Sequence, residues 1–160
     1  ETQIVHGDGT GENFTGILNT SGVLDIPFET DVITTAVRAR TTLQNAGEEV
    51  TGWVLHPDDL AALTLLRENG ATGAYMMSPE FMTLIFGNAP LVPSLQVPQG
   101  TALAGNWAWV SLVIREDTNV LAFNQHKDWA QRNLTLIRAE GRYGLKIERA
   151  SALAIVHLSA

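Results

Sequence analysis

The 160-residue chain has no cysteine, which excludes disulfide staples, thiol nucleophiles and cysteine-ligated zinc together. It is also poor in positive charge, with 10 lysines and arginines against 17 aspartates and glutamates and a formal net charge of −7. No basic block offsets that balance, so neither a cationic groove nor sequence-specific binding of nucleic acid is expected. Long apolar runs are missing too. The longest, ALAIVHL from Ala152 to Leu158, has the length of a strand and falls far short of the ~20 residues of a spanning helix, so no membrane partner is expected. Nothing near Glu1 has the basic and apolar layout of a signal peptide, and the chain reads as soluble and folded in a cytosol. A start at Glu1 rather than Met reads as a fragment or a processed product.

What is present is globular: 45% hydrophobic and 17% charged residues, without the apolar poverty of a disordered chain. The length suits one domain, or one compact domain plus a piece of another, burying roughly 70% of the unfolded surface. No internal repeat or linker interrupts it.

The segment HGDGTGENFTG, following Ile4 and Val5, holds four glycines and reads as loop. A helix is expected next, capped by Thr30, with Asp31 at the positive end of its dipole, Ile33, Ala36, Val37 and Leu43 on one face and Gly47 as its stop. GWVLHPDDLAALTLLRENG predicts a strand over Trp53 to Leu55 and then a helix with Pro57 in its first turn. Leu60, Leu63 and Leu66 or Leu65 should face inward, with Asn69 and Gly70 at its end. Between Ala74 and Val97 the prolines 79, 90 and 93, with Pro98 just beyond, predict brief strands and loops rather than helix. TALAGNWAW, VSLVIRE and VLAFNQ predict three strands of a meander. Along RYGLKIER, Tyr143, Leu145 and Ile147 alternate with Gly144, Lys146 and Glu148, the period of a strand with one wet face. Ala152 to Leu158 is apolar on both faces. Helices early and sheet late make the class α+β.

The candidate chemistry is thin. GDGTG at Gly7 to Gly11 lacks the Gly-Lys-Ser/Thr of a phosphate loop, and Asp8 and Glu12 would repel phosphate, so a flexible turn is the better reading. DGTGEN lacks the ligand spacing of a calcium loop. His56, Asp58 and Asp59 resemble a metal or acid–base cluster, yet their place around Pro57 is what capping and dipole complementarity require. His6, His126 and His157 are scattered singly, and no metal or cofactor site is expected. Asn13, Asn19 and Asn133 begin Asn-X-Ser/Thr triplets with nothing to indicate secretion. Ser78, Ser94 and Ser111 lie outside any nucleophile motif. Trp53, Trp107, Trp109 and Trp129 suit core and interface packing better than a stacking platform. In RNLTLIRAEGRYGL, Asn133 is expected at the end of a turn, and Arg138, Glu140 and Arg142 in cross-strand or intersubunit charge pairs with the even positions exposed.

Taken in order, GDGTGENFTGILNTSGV, WVLHPDDLAALTLLRENG, GNAPLVPSLQVPQGTALAGNW and NLTLIRAEGRYGLKIERASALAIVHL resemble the tailed-bacteriophage major capsid proteins, the lineage typified by the Hong Kong 97 coat protein. The likeness covers nearly the whole chain. It implies the fold of that lineage, with residues 22–130 as the axial domain around the five-fold and six-fold axes and residues 1–21 and 131–160 as peripheral strands. The family's N-terminal arm, extended loop and long spine helix would lie upstream, so a trimmed coat subunit is expected.

The resemblance implies a structural protein and not an enzyme: a coat subunit that self-assembles into the icosahedral head of a tailed double-stranded DNA phage or prophage. Its partners would be its own copies, as pentamers and hexamers, with a scaffolding protein, a maturation protease and a portal. It would reside in the virion after folding in the bacterial host cytoplasm. Loops between Ser78 and Gly100 are candidate contact surface. In crosslinking members of the family a lysine of a neighbour's extended loop joins an asparagine with help from a glutamate, and the motif match puts that asparagine at Asn133 and that glutamate at Glu140. The alternatives are an encapsulin-type compartment shell and a small α+β hydrolase or ligand-binding domain using His56, Asp58 and Asp59.

Overall fold

A computed structural model describes residues 1–69, 72–76, 78–123, 131, 133 and 135–159. Its contacts divide the chain into two units, Glu1–Val110 with Ile147–Ala160, and Ser111–Lys146. The fold is α+β.

The first unit opens with a short helix α1 (Thr2–His6) and a glycine loop. That loop is fixed, where the sequence suggested a flexible turn. Gly16 N–H donates to the Gly7 carbonyl at 2.8 Å, and a Cβ on Gly7 would lie 2.0 Å from the Phe14 oxygen. A 310 turn at Ile17–Asn19 leads to strand β1 (Leu24–Ile26). Helix α2 (Val32–Asn45) follows, and its cap is Asp31 rather than Thr30: the Asp31 carboxylate accepts the Thr34 N–H at 2.8 Å. That bond holds the Asp31 carboxyl below the ordinary carboxylate range. Its buried face is Thr35, Ala36, Ala39 and Leu43, with Ile33 half-buried against the core. Val37, expected on that face, is 36% exposed, because Ala36, Ala39 and Leu43 set a stripe from which position 37 is turned about 100°.

Strand β2 (Gly52–Leu55) runs into α3 (Pro57–Thr64) through Pro57 at the first helical turn, as the sequence predicts. The helix is shorter than expected. It ends at Thr64, and Arg67–Asn69 forms strand β3 paired with β4 (Thr72–Tyr75). The Arg67 guanidinium lies 4.1 Å over the Tyr75 ring and donates to its hydroxyl at 2.6 Å, holding the two strands together across their first pair. Leu63 is buried, Leu60 and Leu66 pack against the core, and Leu65 points out at 61% exposure.

The proline-rich stretch holds a helix, α4 (Pro79–Phe86), where strands and loops were expected. Pro79 is its first residue, Ser78 caps it by accepting the Phe81 N–H, and Gly87 at φ +73° closes it in a left-handed cap. Proline at the first turn starts a helix as readily as it breaks one. Strand β5 (Leu91–Pro93) and strand β6 (Thr101–Gly105) follow, then a 310 turn at Trp107–Trp109. After the second unit, a 310 turn at Ala150–Ala152 leads into β9 (Leu153–His157).

These strands form one mixed sheet in the order β1-β9-β6-β2-β5. β9 is parallel to β1 and antiparallel to β6; β2 is antiparallel to β6 and parallel to β5. β9 is therefore interior, which accounts for its apolar character on both faces: Leu153, Ala154 and Val156 are all buried. Helix α2 packs on β9 and β6 and beside α4. Trp53 meets Phe86 edge to face at 5.2 Å and donates its indole N–H to the Phe86 carbonyl at 3.2 Å.

The second unit is a two-stranded sheet of β7 (Val110–Phe123) and β8 (Leu136–Ile147). VSLVIRE and VLAFNQ thus belong to one 14-residue strand rather than two strands of a meander. The Asp117–Asn119 segment, read as a turn, stays extended, with the Asp117 carboxylate accepting the Thr118 N–H at 2.7 Å. β6, the third expected meander strand, pairs in the five-stranded sheet. Contacts cut the chain at 110/111 and 146/147, with β9 bonded between β1 and β6.

In denaturant unfolding, Leu43→Ala should lower stability by about 2–5 kcal/mol, the range for a fully buried leucine. Val37→Ala on the same helix should change it by under about 0.5 kcal/mol.

Candidate functional site

The residues singled out by the sequence do not converge. His56 is the cap of α3, its Nδ1 accepting the Asp58 N–H at 3.2 Å. That bond needs an unprotonated Nδ1, while the same atom lies 3.5 Å from the Asp58 carboxylate, so the cap and an ion pair exclude one another. The Asp59 carboxylate accepts the Gly100 N–H at 2.8 Å, tying α3 to the start of β6. His56 and Asp59 are committed to backbone groups, His56 in the capping role that the spacing suggested. Among the described residues no group of three or more histidines, aspartates or glutamates is placed to hold a metal.

Other candidates are likewise occupied in local structure. The Asp8 carboxylate accepts from the Thr10 hydroxyl and N–H and the Asn13 amide, and these bonds, the hydroxyl first, pull its pKa down to about 2. Asn19 donates to the carbonyls of His6 and Gly7. Ser94 accepts the Gln96 N–H, His6 meets the Gln96 carbonyl, and His157 bonds Asp25 on the neighbouring strand at 2.8 Å. Trp107 donates to the Gly52 carbonyl at 2.9 Å, so Trp53, Trp107 and Trp109 are anchored separately and make no stacking platform. His126 and Trp129 lie outside the described residues. The surface depressions are open; one runs along the outer side of α2 beside Glu29, Arg38 and Thr41.

Asn133 is exposed and sits at φ +53°, a left-handed conformation that asparagine tolerates in turns. Glu140 is half exposed and bonds Arg138 at 2.9 Å. Arg142 pairs with Glu116 across the strands at 3.4 Å, and the Arg138 guanidinium lies 5.2 Å from the Phe123 ring centre. The structure thus brings Glu140 to Arg138, and no bond joins it to Asn133 among the described residues.

The site that sequence reasoning missed is apolar. Along β7 every residue after Val110 is exposed. Leu112, Val113 and Ile114 are consecutive, so they point to alternate faces, and all three are 47–56% exposed. Val120, Phe123, Ile137 and Tyr143 are open as well, Ile137 at 70%. Both faces of the ribbon are therefore uncovered. The alternation is in the sequence, but only the structure shows that neither face meets a core.

A second missed cluster surrounds Glu48, which is 5% exposed. Its carboxylate accepts from the Asn106 amide at 2.9 Å and the Trp109 indole at 3.0 Å, and Arg149 pairs with it at 2.6 Å. Its partners lie far along the chain, and no local spacing signals them.

Compared with known proteins, residues 1–158 match the phage capsid family. The major capsid protein of Enterobacteria phage HK97 is 27% identical over 160 residues, covering 96% of this chain. A solved chain of Gordonia phage Cozz superposes with a TM-score of 0.73 at 15% identity, covering 99% of this chain and 58% of its own. A virus-like particle from Pyrococcus furiosus gives 0.63 at 16% identity, covering 88% and 58%. The chain spans 41% of the length of the HK97 relative.

The Asn106 amide holds the Glu48 carboxyl below the 4.5 ordinary for glutamate; burial opposes it, and the Trp109 indole and Arg149 charge reinforce it. A lowered folded value means that Glu48 stabilises the fold above that ordinary value and loses its effect as pH falls through the folded one. The stability gap between wild type and Glu48→Gln should stay constant down to about pH 5.5 and narrow below about pH 4.5, read by denaturant unfolding across pH.

Proposed function

The chain belongs to the phage capsid family, and from that membership we propose that the protein is a coat subunit whose copies tile the icosahedral head shell of a tailed double-stranded DNA phage. The observation that carries this reading is the β7–β8 ribbon. A two-stranded sheet is marginal in water by itself, and one with valine, leucine and isoleucine open on both faces needs a partner surface. Other copies of the subunit supply such a surface at every position of a shell. The contacts are heterologous and close by rotation around five-fold and six-fold axes into pentamers and hexamers. The net charge of −7 fits a container that surrounds DNA without gripping its phosphates.

Scaffolding protein, maturation protease and portal are further partners on this reading, with residence in the virion after folding in the bacterial host cytoplasm. The axial and peripheral assignments belong to the same proposal with one adjustment. β9 shares a sheet with β1, β6 and β2, so the Ile147–Ala160 segment goes with the axial portion and Ser111–Lys146 with the peripheral one. No catalytic step is assigned. Glu140, half exposed and paired with Arg138 at 2.9 Å, supports a charge pair better than a crosslink with Asn133. A compartment shell enclosing protein is the second reading, since a virus-like particle from Pyrococcus furiosus shares the fold. The 27% identity to a phage major capsid protein favours the first.

Electron microscopy of the full-length protein, expressed with its scaffold and protease, should show uniform closed shells; enclosed protein cargo would favour the compartment. Leu112→Asp with Ile114→Asp should abolish shells while leaving unfolding of the sheet unit cooperative. Boiled shells should run on a denaturing gel as a single subunit band, and a ladder lost on Asn133→Asp would reinstate the crosslink.

A further inference from the structure

The residues around Glu48 occupy a particular place in the chain. Trp109 directly precedes Val110, the first residue of β7, and Arg149 lies two residues beyond Ile147, the last of β8. The two segments from which the ribbon's strands depart are bonded to each other, the Glu148 N–H donating to the Trp109 carbonyl at 2.9 Å. One carboxylate holds both. Oε2 of Glu48 takes the Trp109 and Asn106 donors on the β7 side, and Oε1 takes Arg149 on the β8 side. Arg149 also donates to the Ala46 carbonyl at 3.1 Å, and the Glu48 N–H to the Leu43 carbonyl at 3.0 Å, which anchors the assembly to the C-terminal end of α2.

We propose that Glu48 is a latch: its carboxylate clamps the two roots of the β7–β8 ribbon to one another and to the end of α2, and neutralising it releases the roots while the sheet stays folded. Three features make the release local. Donors from both sides converge on two oxygens of one side chain. The charged group facing Glu48 is Arg149, itself 46% exposed, which can turn to water when its partner is lost. The sheet strands next to the cluster, β6 and β9, are held by their own ladder from Gly105↔Leu153 to Thr101↔His157. Asn106 keeps its backbone bond to the Ala152 carbonyl at 2.9 Å without Glu48. The roots therefore have a lower opening cost than the sheet that carries them.

Hydrogen exchange on unassembled subunits of the full-length protein tests this without relying on the capsid reading, which assembly tests separately. With rates corrected for the intrinsic pH dependence, Glu48→Gln should speed exchange at the Glu148 amide by about tenfold or more, the scale of one lost charge-assisted hydrogen bond. Amides of Val54 and Leu103 in the sheet should keep wild-type protection. In wild type the Glu148 protection should fall as pH drops below about 4.5, and in Glu48→Gln it should be flat over the same range. Unchanged exchange at Glu148, an equal rise at Val54 and Leu103, or a pH profile shared by both proteins would each overturn the latch. If Glu48→Gln folds poorly, Arg149→Gln, which removes only the β8 side, should show the same local rise at Glu148.

Discussion

The placement of β9 between β1 and β6 is the constraint on which the first unit depends. A strand from the last ten residues of the described chain supplies the hydrogen bonds that join β1 to the rest of the sheet, and its buried Ala154 and Val156 lie in the core with the α2 side chains. Without it β1 would have no neighbour and α2 would lose the floor it packs on. The close fit is visible at Gly105, where φ is +156° and a Cβ would lie 2.3 Å from the Ala152 carbonyl. The sheet is therefore completed only when the ends of the unit, separated by the whole second unit, come together. That is a high contact order, and it makes the sheet a late and cooperative product of folding.

The two units answer different physical demands. The first buries aromatic and aliphatic side chains between helices and a mixed sheet and closes most of its polar groups locally. The second keeps aliphatic residues on both faces in water and balances them with exposed charge pairs, Arg138 with Glu140 and Arg142 with Glu116. Exposed pairs of this kind contribute little stability and much orientation. A ribbon built so is unsatisfactory as an isolated fold and well suited to a contact surface, which is why the assembly reading rests on it rather than on any cluster of acids and bases.

Local rules read well where local chemistry decides. Pro57 after a β-run, the cap at the head of α3, the stop at Gly47 and the double-sided apolar character of Ala152 to Leu158 all correspond to observed features. They failed where one residue has two meanings. Pro79 reads as punctuation, but preceded by Ser78 it starts a helix that Gly87, eight positions later, ends. Asp117, Thr118 and Asn119 carry turn chemistry, yet pairing with β8 keeps them extended, a tertiary effect that overrides propensity. The Glu48 cluster was invisible because its members lie 58 and 61 positions apart, and only the sheet topology brings them together. The order of short motifs along the chain, by contrast, carried the family, since it records the whole fold at once.

Strand β5 lies at one edge of the five-stranded sheet and is three residues long, ending in Pro93. Proline has no amide hydrogen to offer an incoming strand. An open sheet border invites identical neighbours to zip together without limit and form fibres. A border this brief, finished by an imino acid, closes that route, leaving association to surfaces whose geometry can terminate.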